Sequence, residues 1–126
     1  MRYLVFMTLI LFIWSCDKMD FKLHLTNHSG KNLYYQTKLD TIIYEDLIIE
    51  PLPNNDTIKV GIIGGEGTWE YKTQKRSVDS TLYVYIFFDE NVSDEVVLNK
   101  NYSMKGFKVK DLERLHWIVT YPDDFE

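Results

Sequence analysis

Three histidines are the side chains in this sequence best suited to binding a metal ion. His24 and His28 lie four residues apart, so both would share one face if the strand through His24 continued that far. His116 would have to join them from a distant part of the chain, and no third ligand stands at a fixed spacing. We therefore interpret all three as surface histidines, and the sequence predicts neither a metal site nor a cofactor.

Glycine-rich and acidic stretches are the next candidates for chemistry. The glycines between residues 61 and 67 are followed by the strand-like Trp69-Glu70-Tyr71, not by a helix that could hold a phosphate. The acidic residues between 89 and 95 do not have the spacing of a twelve-residue calcium loop. The sequence contains no Gly-x-Ser-x-Gly, no Cys-His pair and no His-Glu-x-x-His. Both stretches are predicted to be loops, and no catalytic residue is predicted.

Aromatic side chains provide a candidate sugar-binding surface. Tyr83 and Tyr85 share one parity on a predicted strand, and Trp69 lies in another β-prone run. β-sandwich modules that bind sugars present flat rings to pyranose faces, so these three are candidate glycan-stacking residues. The alternative is that the rings fill the core or cover the sheet, because aromatic side chains supply large buried areas.

Three tripeptides resemble the Asp-Ser/Thr signal for O-glycosylation of exported bacterial proteins. They are Asp40-Thr41-Ile42, Asp56-Thr57-Ile58 and Asp79-Ser80-Thr81. Each aspartate falls in a predicted turn, where a glycan could be carried. Thr41, Thr57 and Ser80 are therefore candidate glycosylation sites.

The N-terminal stretch predicts export and covalent lipid attachment. Arg2 precedes a twelve-residue run without charge, from Tyr3 to Trp14, which is the length of a signal segment and short for a permanent membrane span. The run ends at Ile13-Trp14-Ser15-Cys16, which resembles the bacterial lipobox. The resemblance implies cleavage before Cys16 and acyl chains on its thiol. Residues 1–15 are thus predicted to be the signal peptide, and residues 16–20 the acylated cysteine and its tether.

The composition predicts one small, acidic, all-β domain. Cleavage would remove 15 of the 126 residues and leave 111, which is one domain. Without Arg2 the chain has 13 Lys and Arg against 19 Asp and Glu, a net charge of −6, which argues against nucleic acid as a partner. Cys16 is the only cysteine, so no internal disulfide can form. Alanine is absent, while nine Tyr and seven Phe favour strands.

The pattern of apolar residues predicts an Ig-like sandwich of two sheets over residues 21–122, followed by an acidic tail, 123–126. The segment from Thr81 to Phe88 is apolar on both faces and is predicted to be a central strand. Leu112 and Leu115 predict one short helical turn. The prolines and Asn/Asp residues of the segment 50–56 are expected to end any strand ladder there. Further strands are predicted at 21–26, 31–38, 57–63, 102–107 and 117–121, with shorter β segments at 41–44, 47–49, 69–72 and 96–98.

The sequence also resembles a group of small uncharacterised lipoproteins of the Bacteroidetes. The resemblance rests on three stretches: residues 25–35, residues 82–87, and the ending Asp111-Leu112-Glu113-Arg114-Leu115-His116-Trp117-Ile118-Val119-Thr120-Tyr121-Pro122, in which His116 replaces the usual Asn. It implies no established activity. The expected function is a non-catalytic, lipid-anchored cell-envelope protein with a binding or assembly role. Its ligand is left open, with a glycan or an envelope protein as candidate partners. The expected location is the outer membrane, with the leaflet undecided. The alternative is a small envelope enzyme or inhibitor that acts on glycans.

Overall fold

The chain folds as an all-β sandwich of two sheets, in a computed structural model that describes residues 19–43, 48–62 and 68–126. The predicted fold class is confirmed. The predicted signal peptide, Cys16 and most of the tether lie outside the described residues, as do Tyr44, Leu47 and the glycines at 64, 65 and 67.

The first sheet has three strands, with β1 (Asp20–Asn27) in the middle. Strand β4 (Thr57–Ile62) pairs with it antiparallel on one side. Strand β7 (Ile118–Tyr121) pairs with it parallel on the other side. The strand predicted at 21–26 is present, and Leu23 and Leu25 on one of its faces are buried in the core between the sheets.

The second sheet has four strands in the order β3-β2-β5-β6. They are β2 (Leu33–Lys38), β3 (Glu50–Leu52), β5 (Leu82–Phe87) and β6 (Tyr102–Phe107), and all neighbours pair antiparallel. Strand β5 has a partner on both sides, so the predicted central strand is confirmed. Pro51 lies within β3, so the expectation that this region would end the ladder was wrong. An edge strand tolerates proline because only one side needs backbone donors.

Both faces of β5 are buried, which explains its continuous apolar sequence. Leu82, Val84 and Ile86 point into the main core between the two sheets. Tyr85 and Phe87 point to the opposite face and form a second, smaller cluster with Ile43, Val97 and the rings around them. We call this second cluster the outer cluster.

Residues 19–43, 48–62 and 68–126 contain three short α-helices, whereas the sequence predicted one helical turn. Helix α3 (Val109–Arg114) is the predicted turn. Helix α1 (Trp69–Tyr71), continued by a π-helical turn (Lys72–Arg76), and helix α2 (Asp94–Leu98) occupy segments predicted to be strands or loop. The β segments predicted at 69–72 and 96–98 were wrong, because local helix caps determine the conformation there.

The caps of the two unpredicted helices are hydroxyl side chains. Thr68 Oγ1 accepts a hydrogen bond from the Tyr71 amide at 3.1 Å, and Ser93 Oγ accepts one from the Val96 amide at 3.4 Å. A 3₁₀ turn (Asp123–Phe125) ends the chain.

The two ends of the sandwich differ in which segments they contain, and we call them the base end and the distal end. The base end contains the start of β1 at Asp20 and the end of β2, and residues 68–81 and 107–117 belong to it. The Trp69 amide donates to Asp20 Oδ2 at 3.0 Å, and the Val78 amide donates to the Leu39 carbonyl at 3.1 Å. The distal end contains the turns after β1 and after β3. There the Asn27 amide donates to the carbonyl of Asp56 at 3.0 Å.

Candidate functional site

A groove of about 360 Å³ lies on the open side of the sandwich. It lies where β6 and β7 face each other as edges of different sheets, with α3 on one side and the C-terminal 3₁₀ turn on the other. The charged residues that line it are Lys105, Asp111, Arg114, Asp123, Asp124 and Glu126. None of these residues was predicted to form a site.

The charged groups of this groove hold structural elements in place. Arg114 Nη2 donates to Asp111 Oδ1 at 2.6 Å, within α3. The other oxygen of Asp111 accepts from the Lys108 amide at 3.1 Å, at the N-terminus of that helix. The Thr120 amide donates to Asp124 Oδ2 at 2.6 Å, which fixes the C-terminal turn against β7.

These contacts determine what the groove can do chemically. Asp111 and Asp124 each accept a backbone amide, so both carboxylates are used to hold the fold. A pair of carboxylates acting on a glycoside must both be available to the substrate. The groove therefore presents charges of both signs, and two of its four carboxylate side chains are engaged with backbone amides.

The three histidines occupy different parts of the sandwich. His24 lies on the outer side of the three-stranded sheet, with Nδ1 2.9 Å from the Lys22 carbonyl oxygen. His28 follows β1 at the distal end and has Nδ1 3.6 Å from Asp123 Oδ2. His116 follows α3 at the base end. Within residues 19–43, 48–62 and 68–126, no three His, Cys, Asp or Glu side chains are placed to hold a metal ion.

Two of the three candidate glycan-stacking rings belong to the core. Trp69 is 2% exposed and Tyr85 is 1% exposed, so neither ring presents a face to a sugar. The Tyr85 ring is stacked with Phe87 at 6.3 Å between ring centroids, in the outer cluster. Tyr83 is partly exposed, and its hydroxyl donates to Asp79 Oδ2. The alternative that these rings fill the core is correct for Trp69 and Tyr85, because helix α1 and the outer cluster cover both.

The buried Tyr85 hydroxyl makes stability sensitive to alkaline pH. Burial, followed by the nearby Tyr102, Asp40 and Tyr83, raises the pKa of Tyr85 to about 12. In the unfolded chain a tyrosine loses its proton near pH 10, so between pH 10 and pH 12 the folded state holds a proton that the unfolded state has lost. The contribution of Tyr85 to the free energy of unfolding is fully present below pH 10. As pH rises through 12, this contribution falls by about 2 kcal/mol.

Urea unfolding of the wild type and of Tyr85→Phe at intervals from pH 8 to pH 12 tests this. We expect the variant to lose less stability over that range than the wild type. Burial and Glu50 also raise the pKa of Tyr35, so some alkaline loss remains in the variant. Identical losses in both proteins would contradict the assignment to Tyr85.

The three candidate glycosylation sites are accessible hydroxyls beside turns. Thr41 and Ser80 are exposed at the base end, and Thr57 is exposed at the distal end, where β4 begins. The Thr57 hydroxyl lies 2.8 Å from the hydroxyl of Thr26, and Ser80 Oγ donates to the Gln74 carbonyl at 3.2 Å. A glycan on Thr57 would point away from the end that carries the N-terminal segment.

No protein-family model, no curated protein and no solved structure matches the chain. Among the helices of the described residues, none combines the length and the apolar character needed to cross a membrane.

Proposed function

We propose that this chain is a non-catalytic, lipid-anchored protein of the bacterial outer membrane with a binding or assembly role. The observation that carries the proposal is the position of Ile13-Trp14-Ser15-Cys16 relative to the fold. Strand β1 begins at Asp20, four residues after Cys16. The attachment cysteine would therefore lie directly before the folded domain, with a tether of a few residues.

The energetics of acylation agree with this arrangement. Each buried methylene of an acyl chain contributes about 0.8 kcal/mol, so two or more chains hold a protein stably where one chain is marginal. A modified Cys16 would also leave no free thiol in the exported protein, since the chain has no other cysteine.

The stretch 111–122, which resembles the Bacteroidetes lipoproteins, contains residues that the fold itself requires. Leu112 is 0% exposed, and Trp117 and Val119 are also buried in the main core. His116 has a φ of 54°, in the left-handed region that Asn tolerates better than most residues. A backbone requirement thus accounts for the Asn usual at this position, and we propose that the chain is a member of this group.

Replacing Cys16 by alanine tests the anchor. In the native host grown with a labelled fatty acid, we expect Cys16→Ala to lose all label and to leave the membrane fraction. Ser15→Gly is the matched control, because it keeps a small residue before the cysteine and should keep the label. A Cys16→Ala protein that retains both label and membrane association would overturn the proposed anchor.

A further inference from the structure

The charged and apolar side chains of the sandwich are distributed unequally between its two ends. At the distal end, six carboxylates stand against Lys31 and Lys100: Asp56, Asp89, Glu90, Asp94, Glu95 and Asp123. At the base end, the segment from Lys72 to Asp79 contains three cations and one carboxylate, Asp79. The molecule therefore has a negative distal end and a positive stretch at its base.

The base segment exposes cations and an apolar side chain together. Lys75 and Arg76 are exposed on the π-helical turn. Val78, two residues later, is 82% exposed, the largest value among the exposed large apolar side chains of the described residues. Cations beside an exposed apolar tip match the boundary between lipid headgroups and acyl chains.

Other exposed apolar side chains lie at the same end. Met19 is 43% exposed and Phe21 is 48% exposed, at the start of β1. Ile42 is 52% exposed, just beyond the end of β2. Nearby carboxylates at the base have partners of their own: Glu70 pairs with Lys22, Asp40 pairs with Lys38, and Asp79 Oδ2 accepts a hydrogen bond from the Tyr83 hydroxyl.

The position of the N-terminal segment identifies the surface that this end would meet. Residues 1–18 join the fold at Met19, at the base end. Four extended residues span at most about 14 Å, so an anchor at Cys16 would hold the base within about that distance of the membrane. Electrostatic attraction to an anionic surface acts over about 8 Å at physiological salt, a distance that this tether allows.

We infer that the base end, through Lys72, Lys75, Arg76 and Val78, docks on the anionic lipid surface that carries the anchor. This inference rests on the proposed lipid anchor and adds an orientation to it. Docking holds the sandwich upright, with its negative distal end and the turn at Thr57 directed away from the membrane. Each Lys or Arg close to an anionic surface strengthens such an interaction, and added salt weakens it.

Hydrogen exchange of the full chain on vesicles tests the docking. The protein is mixed with vesicles of phosphatidylcholine alone, or of phosphatidylcholine with phosphatidylglycerol, and floated before exchange. We expect the protein to float with both kinds of vesicle. Amides of residues 72–80 should exchange at least about fivefold more slowly on the anionic vesicles than on those of phosphatidylcholine alone. The difference should disappear at high salt, and residues 53–56 at the distal end should show none.

Charge reversal identifies the residues responsible. Lys75→Glu with Arg76→Glu should abolish the slowing, because acidic side chains at these two exposed positions are repelled by anionic lipid. The matched control, Lys31→Glu with Lys100→Glu, reverses two exposed lysines at the distal end and should preserve the slowing.

The outcomes separate docking from anchoring. Flotation with both vesicles but equal exchange would overturn docking and leave the anchor standing. Flotation with anionic vesicles alone, with slowed exchange at 72–80, would support docking and overturn the anchor. Flotation with neither vesicle would overturn both.

Discussion

Replacing Trp69 by alanine is expected to lower the free energy of unfolding by about 3–5 kcal/mol, the range for truncating a large buried aromatic side chain. The ring is 2% exposed within the main core. Its Nε1 donates to the Val60 carbonyl at 3.0 Å in a buried hydrogen bond, so the substitution also leaves that carbonyl without its donor. A ring used for binding sugar would instead be dispensable for folding.

Two further variants separate the contributions of the indole. Trp69→Phe keeps a ring but loses the bond to Val60, and should cost about 1–3 kcal/mol. Phe88→Ala is the matched control, since this ring is 51% exposed and its removal should cost no more than about 1 kcal/mol. Urea unfolding followed by far-ultraviolet circular dichroism measures all three. Equal stability of Trp69→Ala and Phe88→Ala would refute the core assignment.

The strands could be predicted because their signal is repeated along several residues. Alternation over β1 and the two-sided apolar run of β5 each report the burial of a whole segment. Such patterns follow directly from which faces of a strand are covered. Fold class and the central position of β5 were predictable for that reason.

Short helices could not be predicted in the same way, because each depends on one cap and one or two buried side chains. Helix α2 buries only Val97 among its five residues. Val96 and Val97 favour strands by propensity, but the Ser93 cap and the cluster around Phe87 override that preference. Trp69 and Tyr71 likewise favour strands by propensity, but the Thr68 cap begins a helix there.

The groove was not predictable because it is formed by tertiary packing at the junction of the two sheets. Its residues come from β6, from α3 and from the last turn of the chain, and none belongs to a motif of fixed spacing. Edge contacts between Phe107 and Phe125 bring the C-terminal turn onto β6, with ring centroids 6.0 Å apart. Nothing in the local sequence of either ring specifies the other as its partner.

The role of Asn27 could not be predicted from the sequence. Replacing Asn27 by alanine is expected to lower the free energy of unfolding by about 2–4 kcal/mol. The predicted strand ends at residue 26, but Asn27 belongs to β1 and its side chain is 0% exposed. Its Nδ2 donates to the carbonyls of Lys31 at 2.7 Å and Leu52 at 2.9 Å, and its Oδ1 accepts from the Ser29 amide at 2.9 Å. One amide group therefore joins the turn after β1 to the end of β3, across the two sheets.

The control and an isosteric variant make this prediction specific. Asn32→Ala removes an exposed acceptor of the Asn54 amide in the same region, and should cost less than about 1 kcal/mol. Asn27→Asp keeps the size of the side chain but turns an oxygen toward the carbonyls of Lys31 and Leu52, so the folded state favours the protonated acid. The folded pKa then lies above the unfolded one, and stability is lost as pH rises.

Chemical unfolding at pH 4 and pH 7 measures the effect of this charge. The deficit of Asn27→Asp relative to the wild type should be smaller at pH 4, because the protonated acid can donate one of the two hydrogen bonds. The deficit of Asn27→Ala should not change between the two pH values, because alanine has no proton to lose. A deficit of Asn27→Asp that is the same at both pH values would mean that water reaches this side chain, and that its two donor bonds do not hold the sheets together.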